Sequence, residues 1–462
     1  MSERFPDDFL FGASTSAHQI EGSHDADGRG ESVWDVFARK PGAIEGGGDA
    51  SIATDSYRRW RDDIDLLSEL GLGAYRFSVG WSRVMPDGRG RVETRALDHY
   101  ERVVDELLAR SIAPVLTLNH WDMPQALMAD GGWTGRPSVD AFAQFTEAVA
   151  ERLADRVEWW IPQNEPWIVA LLGYQLGLHA PGIVDLRSAV TAGHHVLLGQ
   201  GAAADILHRY DGVKVGAALS LFPCDPATDS DADRAAAWGS DGYVNRWYLD
   251  PLLGGGYPRD MWEHWERATG AALDGPDGFI RDGDEALIGG RSDFLGVNFY
   301  TRRVMAAAEP SPFPWKVVGP SGDVTRTDEG WEIVPDSLRD LLIRLSEDYP
   351  GVPLMITENG AVTGDAPTHD GRVHDVRRIS YLRSHLGAVQ EAIAAGADVR
   401  GYLHWSLLDN FEWSLGYRPR FGLVHVDFAS GKRTIKDSGL HYAEIARARS
   451  LDVALPETGA FG

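Results

Sequence analysis

The chain has 462 residues, of which 43% are hydrophobic, and a formal net charge of −25 at pH 7. This length is enough for a large core within one domain. The acidic balance argues against nucleic acid as a partner, because phosphate backbones attract Lys and Arg, and no apolar run is long enough to predict a membrane span.

Short apolar runs alternate with longer amphipathic runs along nearly the whole chain. Most of the apolar runs have no clear polar face, which is typical of parallel strands that helices cover on both sides. We therefore predict a strand for each run. In chain order the predicted strands are Phe9–Ala13, Ala74–Val79, Ile112–Leu118, Val157–Pro162, Lys214–Leu219, Phe294–Asn298, Leu354–Thr357 and Gly401–Trp405.

Between the predicted strands, apolar residues recur at helical spacing. In one run, for example, Leu97, Val104 and Leu108 are predicted to share a buried face. The alternation of strand and helix predicts an α/β fold, a (β/α)8 or TIM barrel, with a doubly wound sheet as the alternative. The predicted helices are Asp55–Leu70, Ala96–Ala109, Ser138–Leu153, Leu186–His208, Asp336–Glu347, Val376–Ala395 and Ser438–Arg447.

The stretch Leu221–Ser292 is long for a connection between two strands. It contains one helical pattern near Trp238–Leu249 and is turn-rich afterwards. No linker of Pro, Ser or Gly separates it from the rest of the chain. We interpret it as an elaborated βα loop over the barrel mouth, so residues 1–462 are predicted to form a single barrel domain.

Polar and aromatic residues collect where the predicted strands end. The carboxyl ends of all strands in such a barrel open on one face, where active sites lie. We therefore expect residues that are distant in sequence to converge on one pocket. Asn119–Asp122 follows the third strand, Asn164 and Glu165 follow the fourth, Asn298–Tyr300 closes the sixth, Glu358 follows the seventh, and Trp405 ends the eighth.

Two glutamates in these positions suggest a specific chemistry. Glu165 and Glu358 each follow a short apolar run and are flanked by Asn and by Pro or Gly. Two carboxyls with different pKa values can cleave a glycosidic bond, one as proton donor and one as nucleophile. A separation of about 5 Å would indicate a covalent intermediate and retained configuration. The alternative is a pair of loop carboxylates at the surface.

Seven stretches in order extend this interpretation to nearly the whole chain: Phe9–Gly22, Tyr75–Ser78, His120–Pro124, Asn164–Pro166, Asn298–Tyr300, Ile356–Gly360 and Trp405–Trp413. Together they resemble the motifs of the β-glycosidases of glycoside hydrolase family 1. The resemblance implies a retaining β-glucosidase that works by double displacement through a covalent glycosyl-enzyme intermediate. It also implies that Glu165 is the acid/base and Glu358 the nucleophile.

The same resemblance implies roles for the residues around the two carboxyls. Arg76 and Tyr300 would contact the nucleophile and favour its ionised form. Trp405 would form the stacking floor of the sugar subsite, Trp121 would line it, and Asn298 would belong to the pocket. The residues that would hydrogen-bond the sugar hydroxyls are Gln19, His120, Asn164, Glu412 and Trp413.

Glu412 bears on the class of substrate. A carboxylate there would accept hydrogen bonds from the 4- and 6-hydroxyls and would repel a 6-phosphate, whereas the 6-phosphoglycosidases of the family replace this residue. We expect a neutral β-glucoside or oligosaccharide as the substrate, with β-galactosides and β-fucosides tolerated. The alternatives are a 6-phospho-β-glycosidase, a non-catalytic sugar-binding barrel, and a transglycosylase that uses the same residues.

Cysteine and histidine usage bears on location and cofactors. Cys224 is the only cysteine, so no disulfide can form within the chain, which favours a reducing compartment. Met1–Phe11 lacks the features of a signal peptide, and we expect a cytoplasmic protein without membrane partners. The histidines, including His194 and His195, lack the spacing of a metal site, and no glycine-rich phosphate loop follows the first strand. We therefore expect no metal and no other cofactor.

Overall fold

Eight parallel strands close into a barrel in the computed structural model of the chain, which describes residues 4–309, 312–319, 322 and 324–455. The first strand pairs with both the second and the last, so the sheet has no open edge. This confirms the (β/α)8 prediction and excludes the doubly wound sheet. In chain order the barrel strands are β1 (Leu10–Ser14), β2 (Ala74–Ser78), β3 (Ala113–Asn119), β4 (Trp159–Gln163), β5 (Lys214–Ser220), β6 (Phe294–Asn298), β7 (Leu354–Asn359) and β8 (Val399–Trp405).

The long helices follow the predicted helices to within two residues at either end. One predicted face was wrong in detail, because Leu108 is 38% exposed whereas Leu107 is fully buried. Successive helical residues are rotated by about 100°, and the buried face is centred on Tyr100, Val103 and Leu107, which turns Leu108 towards solvent. The long helices are Ser56–Leu70, Thr94–Ala109, Pro137–Leu153, Leu186–Leu207, Pro335–Asp348, Val376–Ala394 and Asp437–Ala448.

The stretch after β5 is more helical than its sequence predicted. Where turns were expected, the chain forms the helices Arg259–Thr269 and Asp284–Ile288. Glycines and acidic residues at their ends gave the sequence a turn-like composition. Further helical segments are Ala17–Ile20, Val33–Ala38, Trp81–Val84, Pro166–Ile168, Val169–Gln175, Asp231–Asp241, Gly242–Arg246 and Trp247–Leu252.

Two small sheets accompany the barrel. Cys224–Pro226, Arg303–Ala307 and Trp315–Val317 form one sheet of three strands, and Val424–Asp427 pairs with Lys432–Ile435 in the other. The strands of both sheets lie in segments that follow barrel strands. No helix among the described residues combines the length and the apolar character required to cross a bilayer.

The core has an inner and an outer part. The barrel interior is filled by side chains from successive strands, and the larger apolar cluster lies between the barrel and the surrounding helices. Such close packing makes the barrel a rigid support for the residues at its mouth. The interior side chains are Ala74, Val115, Ile161, Ala218, Phe294, Met355 and Leu403, with Leu10 packed against them.

Replacement of Ile161 by Ala tests this interior packing. Ile161 is fully buried, so Ile161→Ala is expected to lower the free energy of unfolding by about 2–5 kcal/mol through lost burial and a residual cavity. Ile52 is 69% exposed, and Ile52→Ala is the matched control with little expected effect. Thermal unfolding followed by circular dichroism compares the two variants, and equal midpoints would contradict the interior position of Ile161.

Candidate active site

The ends of β4 and β7 position the two glutamates. Glu165 directly follows β4, where a positive φ of 50° turns the chain into the short helix Pro166–Ile168. Glu358 lies inside β7, opposite Asn298 of β6. The prediction that Glu358 follows its strand was therefore wrong, because strand pairing continues to Asn359. Both side chains point into the barrel mouth.

The two glutamates line the same cavity, which has a volume of about 400 Å³. Glu165 is 4% and Glu358 is 3% exposed. The alternative of two surface carboxylates is therefore excluded. The other predicted site residues that line this cavity are His120, Trp121, Tyr300, Trp405, Glu412 and Trp413.

Glu358 is held by a cation and a phenol. The Arg76 guanidinium donates from Nη1 to Oε1 at 2.6 Å, and the Tyr300 hydroxyl donates to Oε2 at 2.7 Å. The Arg76 side chain is fully buried. A buried guanidinium needs a paired anion, so the ionised form of Glu358 satisfies the charge of Arg76. The predicted contacts of Arg76 and Tyr300 with Glu358 are present.

Glu165 contacts an amide instead of a cation. The Asn298 Nδ2 donates to Oε1 of Glu165 at 2.8 Å and to Oδ1 of Asn164 at 3.1 Å. That same Asn164 oxygen accepts from Nη2 of Arg76 at 2.6 Å. Two amides thus connect the glutamates through one hydrogen-bonded network, and the cation of this network, Arg76, is paired with Glu358.

Burial and charge raise the pKa of Glu165 to about 8. The larger cause is loss of water, and the negative charge of Glu358 is the second. Burial raises the pKa of Glu358 as well, against the opposing effects of Arg76 and Tyr300. Among the described residues Arg76 pairs with Glu358 and no cation contacts Glu165 directly, so Glu165 takes the proton first. The arrangement therefore favours a protonated Glu165 beside a Glu358 whose ionised form is stabilised by Arg76 and Tyr300.

Glu412 lies on another wall of the cavity. Gln19 Nε2 approaches its Oε2 at 3.4 Å and also donates to the Phe411 carbonyl at 2.9 Å. Burial, followed by the charge of Glu358, raises the pKa of Glu412 to about 8. This carboxyl is therefore protonated at neutral pH and can donate as well as accept a hydrogen bond.

Aromatic rings form the adjoining wall. The His120 ring is nearly parallel to Trp405 and to Trp413, with centroid distances of 5.7 Å and 6.1 Å. Burial, and then the charge of Arg76, lowers the pKa of His120 well below its usual range. Trp121 donates from Nε1 to the Asn164 carbonyl at 3.0 Å, which orients its ring. Flat apolar faces beside polar groups suit a pyranose ring.

Four of the predicted site residues lie one layer behind the cavity surface. Gln19, Arg76, Asn164 and Asn298 are fully buried and are hydrogen-bonded to the residues that line the cavity. Their side chains therefore hold Glu412, Glu358, His120 and Glu165 in place.

The outer part of the cavity is formed by residues that the sequence interpretation missed. Trp167 lies two positions after Glu165 and could have been found from that motif. The others lie on loops after β4, β5, β6 and β8, where no pattern marks them. These lining residues are Trp167, Leu172, Leu178, Phe222, Glu329, Trp331 and Phe421.

Fold and site together define a glycoside hydrolase, an enzyme with two carboxyls at the mouth of a (β/α)8 barrel. The model of the family described as glycosyl hydrolase family 1 matches residues 1–451. The chain belongs to glycosyl hydrolase family 1, and the resemblance found in the sequence is confirmed.

Individual relatives match over almost their full length. Beta-glucosidase A of Thermotoga maritima is 39% identical over 453 residues, covering 97% of this chain and 99% of that protein. The bifunctional beta-D-glucosidase/beta-D-fucosidase of Bifidobacterium breve is 40% identical over 457 residues, covering 95% and 97%. The solved structure of the family 1 b-glucosidase from Thermotoga maritima in complex with isofagomine lactam has a TM-score of 0.92 at 39% identity, covering 97% of this chain and 99% of that one.

The raised pKa of Glu165 predicts a pH-dependent loss of stability. The ordinary value of 4.5 applies in the unfolded chain, and the folded value is about 8. The unfolded state therefore releases the proton first, and stability falls as the pH rises from about 4.5 to about 8. Glu165→Gln removes this contribution, so the variant should gain stability over the wild type, on the order of a few kcal/mol at the upper limit.

Thermal unfolding at pH 5 and at pH 8.5 measures this effect. The stability difference between Glu165→Gln and wild type should widen at the higher pH. Glu69→Gln is the control, because Glu69 is exposed on the helix Ser56–Leu70. A difference that is the same at both pH values would argue against a buried, protonated Glu165.

Proposed function

We propose that this family 1 enzyme is a retaining β-glucosidase, which hydrolyses terminal non-reducing β-D-glucosyl residues. One observation supports the proposal above all others. A carboxyl with its pKa raised to about 8, Glu165, shares a cavity with Glu358, a carboxylate paired to Arg76. This is the division into proton donor and nucleophile that glycoside cleavage needs.

In the first step, an oxygen of Glu358 attacks the anomeric carbon and the glycosidic bond breaks. Glu165 gives its proton to the departing oxygen, so that a neutral alcohol leaves. In the second step, Glu165 takes a proton from water, the water oxygen attacks the anomeric carbon, and the ester bond to Glu358 breaks. Two inversions at the same carbon retain the β configuration.

The electrostatics of the pair favour both roles of Glu165. While Glu358 is ionised, its charge helps to raise the pKa of Glu165, which keeps the acid protonated. Once Glu358 is esterified, that charge is lost and the pKa of Glu165 falls. The same group can then act as a base. Arg76 and Tyr300 hold the leaving carboxylate when the ester breaks.

We propose that the sugar lies against the ring of Trp405, within reach of the polar groups that line the cavity. Glu412, His120 and Trp413 face the cavity and are available to the hydroxyls, while Trp121 borders them. Gln19 supports Glu412 from behind, and Asn164 and Asn298 support the catalytic pair. Gln19, Asn164 and Asn298 thus act through the side chains that they support. Gln19 or Asn164 would contact a sugar hydroxyl only if it gave up one of its present hydrogen bonds.

A neutral substrate fits the charge of the cavity. Its lining includes the carboxylate of Glu358 together with Glu329, and the protonated Glu165 and Glu412 add no positive charge, so the site disfavours a phosphorylated sugar. The relative from Bifidobacterium breve is named for activity on both β-glucosides and β-fucosides. We propose the same breadth here, extended to β-galactosides, and an apolar outer subsite in which Trp167, Phe222 and Trp331 face the aglycone.

We also propose that one catalytic domain spans the chain and acts in the cytoplasm. The barrel takes its strands from Leu10 to Trp405, and the family match extends over residues 1–451. The single cysteine, Cys224, agrees with a reducing compartment.

Removal of the nucleophile should abolish hydrolysis. Glu358→Ala is expected to show no turnover of aryl β-glucosides, because no group remains to form the covalent intermediate. Azide should restore partial activity by attacking in place of Glu358, and the product should be the α-glucosyl azide. Turnover is followed by release of nitrophenol, and the anomer is identified by NMR.

Glu165→Ala is the matched variant for this experiment. It should lower the rate of hydrolysis of substrates with poor leaving groups by about 10²–10⁴-fold. The first step with dinitrophenyl glucosides should be little affected, because this leaving group needs no proton. With azide the product should be the β-glucosyl azide. Retained hydrolysis in Glu358→Ala, or the same azide anomer from both variants, would remove the assignment of the two glutamates.

Glu412 should govern the choice between neutral and phosphorylated sugars. Glu412→Gln is expected to lower kcat/KM for nitrophenyl β-glucoside about 10- to 100-fold, because one of the two oxygens that can accept from sugar hydroxyls is replaced by an NH2 group. The 6-phosphorylated substrate should be turned over less well than the neutral one by the wild type. Glu329→Gln, which alters an outer wall of the same cavity, should change kcat/KM less. A wild type that prefers the 6-phosphate would contradict the proposed substrate.

A further inference from the structure

Two histidines and an aspartate meet beside the catalytic cavity. His18, His24 and Asp35 each offer one ligand atom, and these atoms all lie within 4.8 Å of one another. His18 lies in the helix Ala17–Ile20 and Asp35 in the helix Val33–Ala38, and both are buried, while His24 lies half-buried in the turn between them. The irregular spacing of the three residues gave no metal signature in the sequence.

Each residue of this cluster has a buried polar atom that lacks a hydrogen-bond partner in the described part of the chain. These atoms are Nδ1 of His18, Nε2 of His24 and Oδ1 of Asp35. Buried polar atoms in proteins are almost always hydrogen-bonded. The unpartnered atoms of His18 and Asp35 therefore indicate a ligand that supplies the missing interactions, and His24 faces the same Asp35 oxygen with its other ring nitrogen, Nδ1.

The geometry around Asp35 leaves one oxygen available. Its Oδ2 accepts from Nη1 of Arg29 at 2.8 Å and from the backbone N of Ser32 at 2.7 Å. Its Oδ1 faces Nδ1 of His24 at 3.3 Å. Neighbouring ligands of a tetrahedral zinc ion, with bonds of about 2.0–2.1 Å, are separated by about 3.3 Å. The carboxylate and the imidazole already have this separation.

Negatively charged side chains near the cluster favour the binding of a cation. Asp35 and Asp49 both act on His18 and His24 as negative charges, and Arg29 opposes them as a positive charge. Arg29 donates to Oδ2 of Asp35, whereas Oδ1 faces His24.

We propose that His18, His24 and Asp35 form a binding site for a divalent transition metal such as Zn²⁺, with water as a fourth ligand. Two imidazole nitrogens and one carboxylate oxygen are a ligand set that suits zinc. Calcium and magnesium prefer sets made of oxygen alone. The metal takes no part in the cleavage of the glycosidic bond, so the site is independent of the proposed glucosidase function.

The metal would join two segments that pack against Trp413, a residue that lines the catalytic cavity. The His18 ring stacks on Trp413 with a centroid distance of 5.7 Å and an angle of 5°, and Gln19 is its neighbour in sequence. Asp35 holds the start of the helix Val33–Ala38, whose Trp34 also contacts Trp413. A metal that binds only the folded chain should therefore raise its thermal stability.

Calorimetric titration with ZnCl2 tests the site, with protein that lacks a polyhistidine tag. We expect one zinc ion per chain, a rise in the midpoint of thermal unfolding, and the visible absorption of tetrahedral cobalt when CoCl2 replaces zinc. His24→Ala should weaken zinc binding at least about tenfold, or about 1.4 kcal/mol, and remove the thermal shift. CaCl2 should give neither effect.

Matched controls separate the cluster from other histidines. His208→Ala removes a surface histidine that contacts Asp293 and should bind zinc as the wild type does. Metal-free hydrolysis of nitrophenyl β-glucoside reports whether His24→Ala is folded, and Asp35→Asn, which keeps an oxygen for the Ser32 amide, is the second variant. Absence of stoichiometric zinc binding, or equal binding by wild type and both cluster variants, would overturn the proposal.

Discussion

The buried ion pair between Arg76 and Glu358 is the interaction on which the rest of the site depends. Arg76 projects from β2 and donates to Thr117 of β3, to Asn164 after β4 and to Glu358 of β7. One guanidinium thus connects four strands at the barrel mouth. A buried cation is stable only beside a fixed anion and further acceptors. The five N–H donors of Arg76 therefore determine where the Glu358 carboxylate and the Asn164 amide lie. The closed barrel holds the strands that carry these residues in fixed positions.

The ionised state of Glu358 in turn determines the state of its neighbours. Its charge is a cause of the raised pKa of Glu165 and of Glu412, and it keeps Tyr300 protonated as a hydrogen-bond donor. Glu165 is buried, and Tyr300 and Glu412 are partly buried, so water screens the charge less than it would at the surface. Glu165 and Glu412 have raised pKa values in the folded chain, so each lowers the free energy of unfolding as the pH rises. The reactivity of the site is thus obtained at the expense of stability, as is common at active sites.

The side chains around Arg76 and Glu358 come from strand ends and from loops, and the sequence predicts the first group better than the second. The inner wall of the cavity comes from the strand ends, whose order and direction follow from the barrel. The outer wall comes from loops, and residues such as Phe222 and Trp331 reach it through conformations that tertiary packing decides. The cluster of His18, His24 and Asp35 arises in the same way, since the conformation of the segment between two short helices brings the three side chains together. Both the outer part of the cavity and the proposed metal site therefore lie in segments that follow barrel strands.

The amino-acid sequence by itself determined the barrel, because the apolar runs and helical spacing that specify strands and helices are local and can be read within a short window. It also identified Glu165, Glu358 and the motifs around them. Only the tertiary structure decided that Glu358 lies within β7, that Leu107 rather than Leu108 is buried, and that Gln19 and Asn298 lie behind the cavity surface. Strand register, loop conformation and burial decide these features, and they depend on contacts between distant residues. The protonation of Glu165 and Glu412 follows from the same contacts, since desolvation and neighbouring charge exist only in the folded chain.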